Sequence, residues 1–203
     1  MIRKTVFPGA FMALVLAAGC APENEGADAG DVNALEQAPS QAPANPDSAI
    51  ATVRNATGRE LGTLTLRDAG NGLAVSGRLA GLSPGDHAVH LHTTGACNAP
   101  SFDSAGSHWN PGERQHGSAN PQGPHAGDLP NLTIGADSSG LVDGTTAAGT
   151  LRGELPLLDA DGAAVVVHAG KDDYRSQPSG NAGNPIACGV VEAAAGRVEA
   201  AVR

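Results

Sequence analysis

From residue 49 to the end of the chain no stretch carries a helical stripe; short runs of alternating apolar and polar residues recur instead between glycine-rich turns. The runs cover 49–53, 61–66, 73–79, 87–92, 131–134, 150–155, 163–168 and 186–193. Alternation with period two sends apolar side chains to one face of a strand. Turn signals stand where such strands must reverse, at Asp68-Ala69-Gly70-Asn71-Gly72, Ser83-Pro84-Gly85-Asp86 and Asp159-Ala160-Asp161-Gly162. The expectation is an all-β sandwich or barrel of about eight antiparallel strands. Aromatic residues are only 2% of the chain, so its core must be built of Val, Leu, Ile and Ala. Two connections, 93–130 and 169–185, are too long for hairpins and rich in Gly, Pro, Ser and Asn, the mark of functional or disordered loops.

The first 48 residues read differently. Arg3 and Lys4 precede an apolar run that is too short to span a bilayer as a stable helix, which reads as a secretion signal. It ends in Leu16-Ala17-Ala18-Gly19-Cys20, which resembles the lipobox of bacterial lipoproteins, with Ala17 where leucine is commoner. The resemblance implies a signal peptide over 1–19, a lipidated Cys20 and, with no aspartate after it, an outer-membrane anchor facing the periplasm. Residues 20–48 are Ala, Pro, Asn, Gln and acid without periodicity, a composition expected to stay unfolded as a tether. Residues 49–203 then suit one domain with a single core. The net charge of -9 argues against a nucleic-acid or anionic-surface partner. With Cys20 set aside for lipid, Cys97 and Cys188 remain to pair as a disulfide, which an exported protein can keep.

Histidine supplies the chemistry. His90 and His92 flank Leu91 on a strand, so both emerge on one face and can grip one ion. His108, from the long loop, and His168, at the end of the Val165-Val166-Val167 strand, complete four imidazoles, a set that suits copper. His108, His116, His125 and Asp128 follow at intervals of eight, nine and three residues, and three nitrogens with a carboxylate make a closed zinc site. His108 stands in both sets because a deprotonated imidazole has a nitrogen for each metal.

The strings His87-Ala88-Val89-His90-Leu91-His92, Ser104-Ala105-Gly106-Ser107-His108-Trp109-Asn110-Pro111, His116-Gly117, His125-Ala126-Gly127-Asp128-Leu129, Val167-His168-Ala169-Gly170, Gly180-Asn181-Ala182-Gly183 and Ala187-Cys188-Gly189-Val190 resemble those of bacterial, exported copper/zinc superoxide dismutases. They run in order through essentially the whole domain after the tether. The resemblance implies a Greek-key β-barrel holding one copper and one zinc ion per subunit. Its substrate is superoxide, converted to dioxygen and hydrogen peroxide at the copper of His90, His92, His108 and His168. His108 is expected to leave copper on reduction, take up a proton and later deliver it, with zinc tuning its basicity. Asp172, four residues after His168, stands where the family joins a copper histidine to a zinc histidine, with Asp173 the neighbouring alternative. His87 matches a histidine that binds neither metal. Homodimer and monomer are both compatible with the sequence.

One position departs from the pattern. Three residues before Cys188, where the family has an arginine that guides superoxide at the channel rim, this chain has Pro185; Ser179 stands at the opposing hydroxyl position. Proline offers neither charge nor donor. Either Lys171 or Arg175 from the same loop takes over the guidance or the protein works without it. The departure keeps open a second function, a noncatalytic copper/zinc-binding envelope lipoprotein on the same fold.

Overall fold

The computed structural model describes residues 48–194; the expected signal peptide, Cys20 and all of the expected tether except Ser48 fall outside them. Nine strands make up the regular structure of the described residues, together with a single turn of 3-10 helix at Asp103–Ala105. They are β1 Ala49–Asn55, β2 Glu60–Ala69, β3 Gly72–Ala80, β4 Gly85–His87, β5 Val89–His92, β6 Leu132–Ile134, β7 Ser139–Thr145, β8 Ala164–His168 and β9 Pro185–Ala193. Seven form one antiparallel sheet in the order β5-β8-β9-β1-β2-β3-β7, and β4 pairs with β6 in a small second sheet. The small sheet spans the two edges of the large one. β4 runs into β5 with only Ala88 between them, and β6 turns into β7 through residues 135–138, where the Gly135 amide donates to the Ser139 carbonyl at 2.9 Å. The large sheet is thereby curled rather than open, in line with the expected β-barrel.

The alternation decides what lies inside. Ala49, Ala51 and Val53 of β1, Leu64 and Leu66 of β2, and Leu73, Val75 and Leu79 of β3 are fully buried, and the core is aliphatic as the composition requires. Trp109 is the one aromatic side chain in the main cluster of the described residues. β8 is covered on both faces. Val165 and Val167 join the main core, whereas Ala164 and Val166 meet Phe102, Ala105 and the disulfide under the first long loop. A strand buried on two sides reads as a continuous apolar run, which is what Val165-Val166-Val167 is.

Two expectations about strands are corrected. Residues 150–155 form no strand: the Thr150 hydroxyl donates to the Glu154 carbonyl and accepts the Gly153 amide, folding the segment into a turn, and Leu155 has φ 51°. The strand stands earlier, at β7, where Gly140 and Val142 point inward and the apolar Leu141 is 65% exposed. Gly140 is there because a Cβ would run into Thr133 and Leu132 of the crossing β6. The expected run 87–92 is also split into β4 and β5 at Ala88, whose amide bonds to Gly170 and whose carbonyl accepts from His168.

Candidate metal centre

β5 turns Val89 and Leu91 into the core and His90 and His92 out of the opposite face. His168 ends the neighbouring β8, which pairs with β5 through His90↔Val166 and Val89↔Val167. The first long loop zips back onto this wall. Leu91 donates its amide to Gly127 O at 2.9 Å and accepts the Trp109 amide at 2.7 Å, and Gly127 donates to Trp109 O at 2.8 Å. These bonds bring His108 opposite His92 and Asp128 opposite His90. Cys97 and Cys188 form the expected disulfide, Cα to Cα 5.6 Å, tying the loop to β9.

Each imidazole on the wall has one nitrogen engaged and one aimed at its neighbours. His92 Nδ1 lies 2.8 Å from Gly106 O, His168 Nδ1 2.9 Å from Gly183 O, and His90 Nε2 3.0 Å from Asp172 Oδ2. A nitrogen facing an oxygen acceptor carries the ring proton, which leaves a lone pair on the other. Those others, His90 Nδ1, His92 Nε2 and His168 Nε2, together with His108 Nε2, are buried without a hydrogen-bond partner. One ligand atom from each of the four residues can be chosen within 4.8 Å of the rest. An unpartnered buried acceptor costs roughly 1–3 kcal/mol. Four converging on one point fit an ion between them.

The other nitrogen of His108 serves a second group. Its Nδ1 lies 2.9 Å from Asp128 Oδ1 and 3.3 Å from His125 Nδ1. Asp128 Oδ1 is also 3.1 Å from His116 Nδ1 and 3.2 Å from His125 Nδ1. These edges match the roughly 3.3 Å of a tetrahedron with metal bonds of about 2.0 Å. His116 Nδ1 has no hydrogen bond despite its proximity to the carboxylate, so its lone pair is free for the centre of the group. Asp128 Oδ2 is occupied by the amides of Gly117 and His125, at 2.8 and 3.0 Å, which leaves Oδ1 for the group. His90 also approaches these residues. Its Nε2 is engaged by Asp172 and its Nδ1 faces the first set, so His125 is the better fourth member.

Asp172, 1% exposed, stands between the two groups. Oδ2 accepts from His90, and Oδ1 accepts from His116 Nε2 at 2.9 Å and from the Tyr174 amide at 2.6 Å. Gly180, at φ +66°, lies against it so closely that a Cβ there would overlap the carboxylate. Asp173 is exposed and caps its own turn through Ser176 and Arg175. His87 has both nitrogens on carbonyls, those of His168 and Ser83, and offers nothing to a metal.

Electrostatics separate the two groups in the metal-free protein. Burial lowers His90 to about 4 against the pull of its Asp172 bond, and burial with repulsion from His108 lowers His92 to about 3. His168 is lowered by burial as well. For His116 burial is overcome by the two carboxylates beside it, Asp128 and Asp172, which raise it to about 9. Burial of Asp128 and Asp172 is likewise outweighed by their histidine donors, which hold both well below the usual carboxylate range.

A cleft of about 450 Å³ opens onto His92, His108 and His168, with Ser179, Pro178 and Pro185 on its rim. Among the described residues no Lys, Arg, Asp or Glu lines it, and Lys171 and Arg175 are exposed without being part of it. Asn131, Gln177 and Tyr174, which no sequence motif marks, hold the main chain around Asp172 and His116.

Residues 60–191 match the family model described as copper/zinc superoxide dismutase. The chain is 40% identical over 149 residues to a protein named superoxide dismutase [Cu-Zn] from Caulobacter vibrioides, covering 71% of this chain and 86% of that one. It is 38% identical to the superoxide dismutase-like protein YojM from Bacillus subtilis, over 68% of this chain and 72% of that one. Among solved structures, a double mutant of a superoxide dismutase-like protein from Bacillus subtilis superposes with a TM-score of 0.66 at 38% identity, over 70% of this chain and 95% of that one.

Proposed function

The chain belongs to the copper/zinc superoxide dismutase family, and on that premise we propose that it dismutes superoxide at a copper joined through His108 to a zinc. The observation that carries the reading is the set of buried, unpartnered nitrogens His90 Nδ1, His92 Nε2, His108 Nε2 and His168 Nε2, three of whose residues border an open cleft. These four atoms would hold copper. Nδ1 of His108, His116 and His125 with Oδ1 of Asp128 would hold zinc.

Copper held there would supply a one-electron redox couple, the chemistry that turns two superoxide anions and two protons into dioxygen and hydrogen peroxide. His108 moves one of those protons: Nε2 holds it in one half of the cycle and passes it to the departing peroxide in the other. Its Nδ1 stays in the Asp128 group and keeps the ring in place. Asp172 fixes the tautomers of His90 and His116, so that both present Nδ1. Leu91 and Val167, fully buried behind β5 and β8, exclude water from the far side and leave the cleft as the approach.

The uncharged rim favours a second reading, a noncatalytic copper/zinc-binding lipoprotein, since Pro185 supplies no cation for an anionic substrate. Superoxide decay followed by pulse radiolysis separates the two. Protein loaded with copper and zinc is expected to consume many equivalents of superoxide per copper. Consumption that stops at one equivalent would leave the binding protein standing. On either reading we place the domain in the cell envelope, anchored at Cys20 by lipid and facing the periplasm. Palmitate labelling that survives Cys20→Ser would refute the anchor.

A further inference from the structure

Asp172 can bridge His90 and His116 only if two long loops keep one register, and two carboxamides hold them in it. Asn131, just ahead of β6, faces the main chain of Asp172: its Oδ1 accepts the Asp172 amide at 2.8 Å and its Nδ2 donates to the Asp172 carbonyl at 2.9 Å. Gln177 grips His116 in the same way, Oε1 accepting the amide at 2.9 Å and Nε2 donating to the carbonyl at 3.1 Å. A side-chain amide that both accepts from and donates to one residue's main chain copies a two-bond rung of an antiparallel ladder. The rungs cross in opposite senses. Asn131 stands at the end of the first loop and holds the second, whereas Gln177 belongs to the second and holds the first. The circuit closes through Tyr174, whose hydroxyl accepts the Asn131 amide at 2.7 Å and whose own amide donates to Asp172 Oδ1.

We propose that Asn131 and Gln177 are positioning residues for the paired metal centre, clamping the main chains of Asp172 and His116 so that the carboxylate holds the His116 ring with Nδ1 toward zinc. The proposal rests on the reading of His116 as a zinc ligand. Neither carboxamide touches a metal position; each acts through the residue it grips. Asp173 provides the contrast. Its carboxylate gathers the amides of Arg175 and Ser176 and the side chains of Ser176 and Asn181, ordering the same loop without touching Asp172 Oδ1, Oδ2 or the His116 main chain.

The test is cobalt(II) titration of the full-length protein, its copper set first filled with silver(I), read by the visible d–d band and by competition with a chelator. Asn131→Ala and Gln177→Ala are each expected to weaken cobalt binding about 10- to 100-fold and to shift the band, the size of effect seen when a ligand's hydrogen-bonding support is removed. Asn131→Asp and Gln177→Glu keep the accepting oxygen and lose the donor, so they fall between; they also carry the test if an alanine variant does not fold. Asp173→Ala is expected to keep the wild-type band. Wild-type spectra and affinities in the Asn131 and Gln177 variants overturn the proposal, as does an equal change in Asp173→Ala. A wild-type protein that takes up no cobalt is a different outcome, removing the zinc reading and the clamps with it.

Discussion

Asp172 accepts from two imidazoles that, on our reading, serve different metals, so a change of one atom there tests both sets. Asp172→Asn keeps the volume but brings an N–H donor where an acceptor is needed. Metal affinity is expected to fall about 10- to 100-fold with every ligand in place, measured by chelator competition; unchanged affinity would remove Asp172 from the account. The shifted groups make a second prediction, for the metal-free protein. His90 and His92, held at about 4 and about 3 against an ordinary 6.5, add stability that is complete above 6.5 and lost as pH falls toward those values. His116, raised to about 9, adds stability that is complete below 6.5 and lost as pH rises through 9. The urea midpoint of the metal-free protein is therefore expected to peak near pH 6.5 and fall on both sides; a midpoint that climbs from 6.5 to 9 contradicts it. At this scale the sequence is legible where chemistry demands a residue type. Imidazoles at strand and loop spacing point to metals, but a carboxamide such as Asn131 or Gln177 bonds to anything and leaves no pattern.

Among the elements, β5 shows why a strand serves better than a loop for the first two proposed ligands: alternation sends Leu91 to the core and His90 and His92 to the face where we propose copper binds. Leu91→Ala is expected to cost about 2–5 kcal/mol of unfolding free energy, measured by denaturant titration, while the copper affinity of the folded protein changes little. A large loss of copper affinity with stability intact would contradict that division of labour. The disulfide closes a separation of 91 residues between the first loop and β9. Its removal by Cys97→Ser with Cys188→Ser is expected to cost about 4–5 kcal/mol in the chain-entropy picture. β1, β2 and β3 were legible because their apolar residues alternate and face inward. β7 was not, because its inward side chains reduce to Val142 beside the bare Gly140, while its largest apolar residue, Leu141, points to solvent. Residues 150–155 misled in the opposite way. Leu151 is fully buried within a turn that Thr150 builds, so apolar content there reports burial without strand geometry.

The molecule as a whole carries a net charge of -9, and the cleft by which we propose superoxide approaches is lined by no described Lys or Arg. Attraction at the rim would make catalysis fall with ionic strength; here the rate is expected to be flat or to rise as salt screens the overall repulsion. Pro185→Arg should restore a falling dependence, and a steep fall in the wild-type protein would show that a cation reaches the cleft after all. The curled sheet and its two loops place one imidazole, His108, between two groups of side chains that no single element could supply and that we propose hold copper and zinc. Metal titration of the purified protein by calorimetry reads that shared role of His108. The wild-type chain is expected to take one copper and one zinc; His92→Ala should weaken copper alone, His116→Ala zinc alone, and His108→Ala both. Wild-type affinity for either metal in His108→Ala would contradict the account.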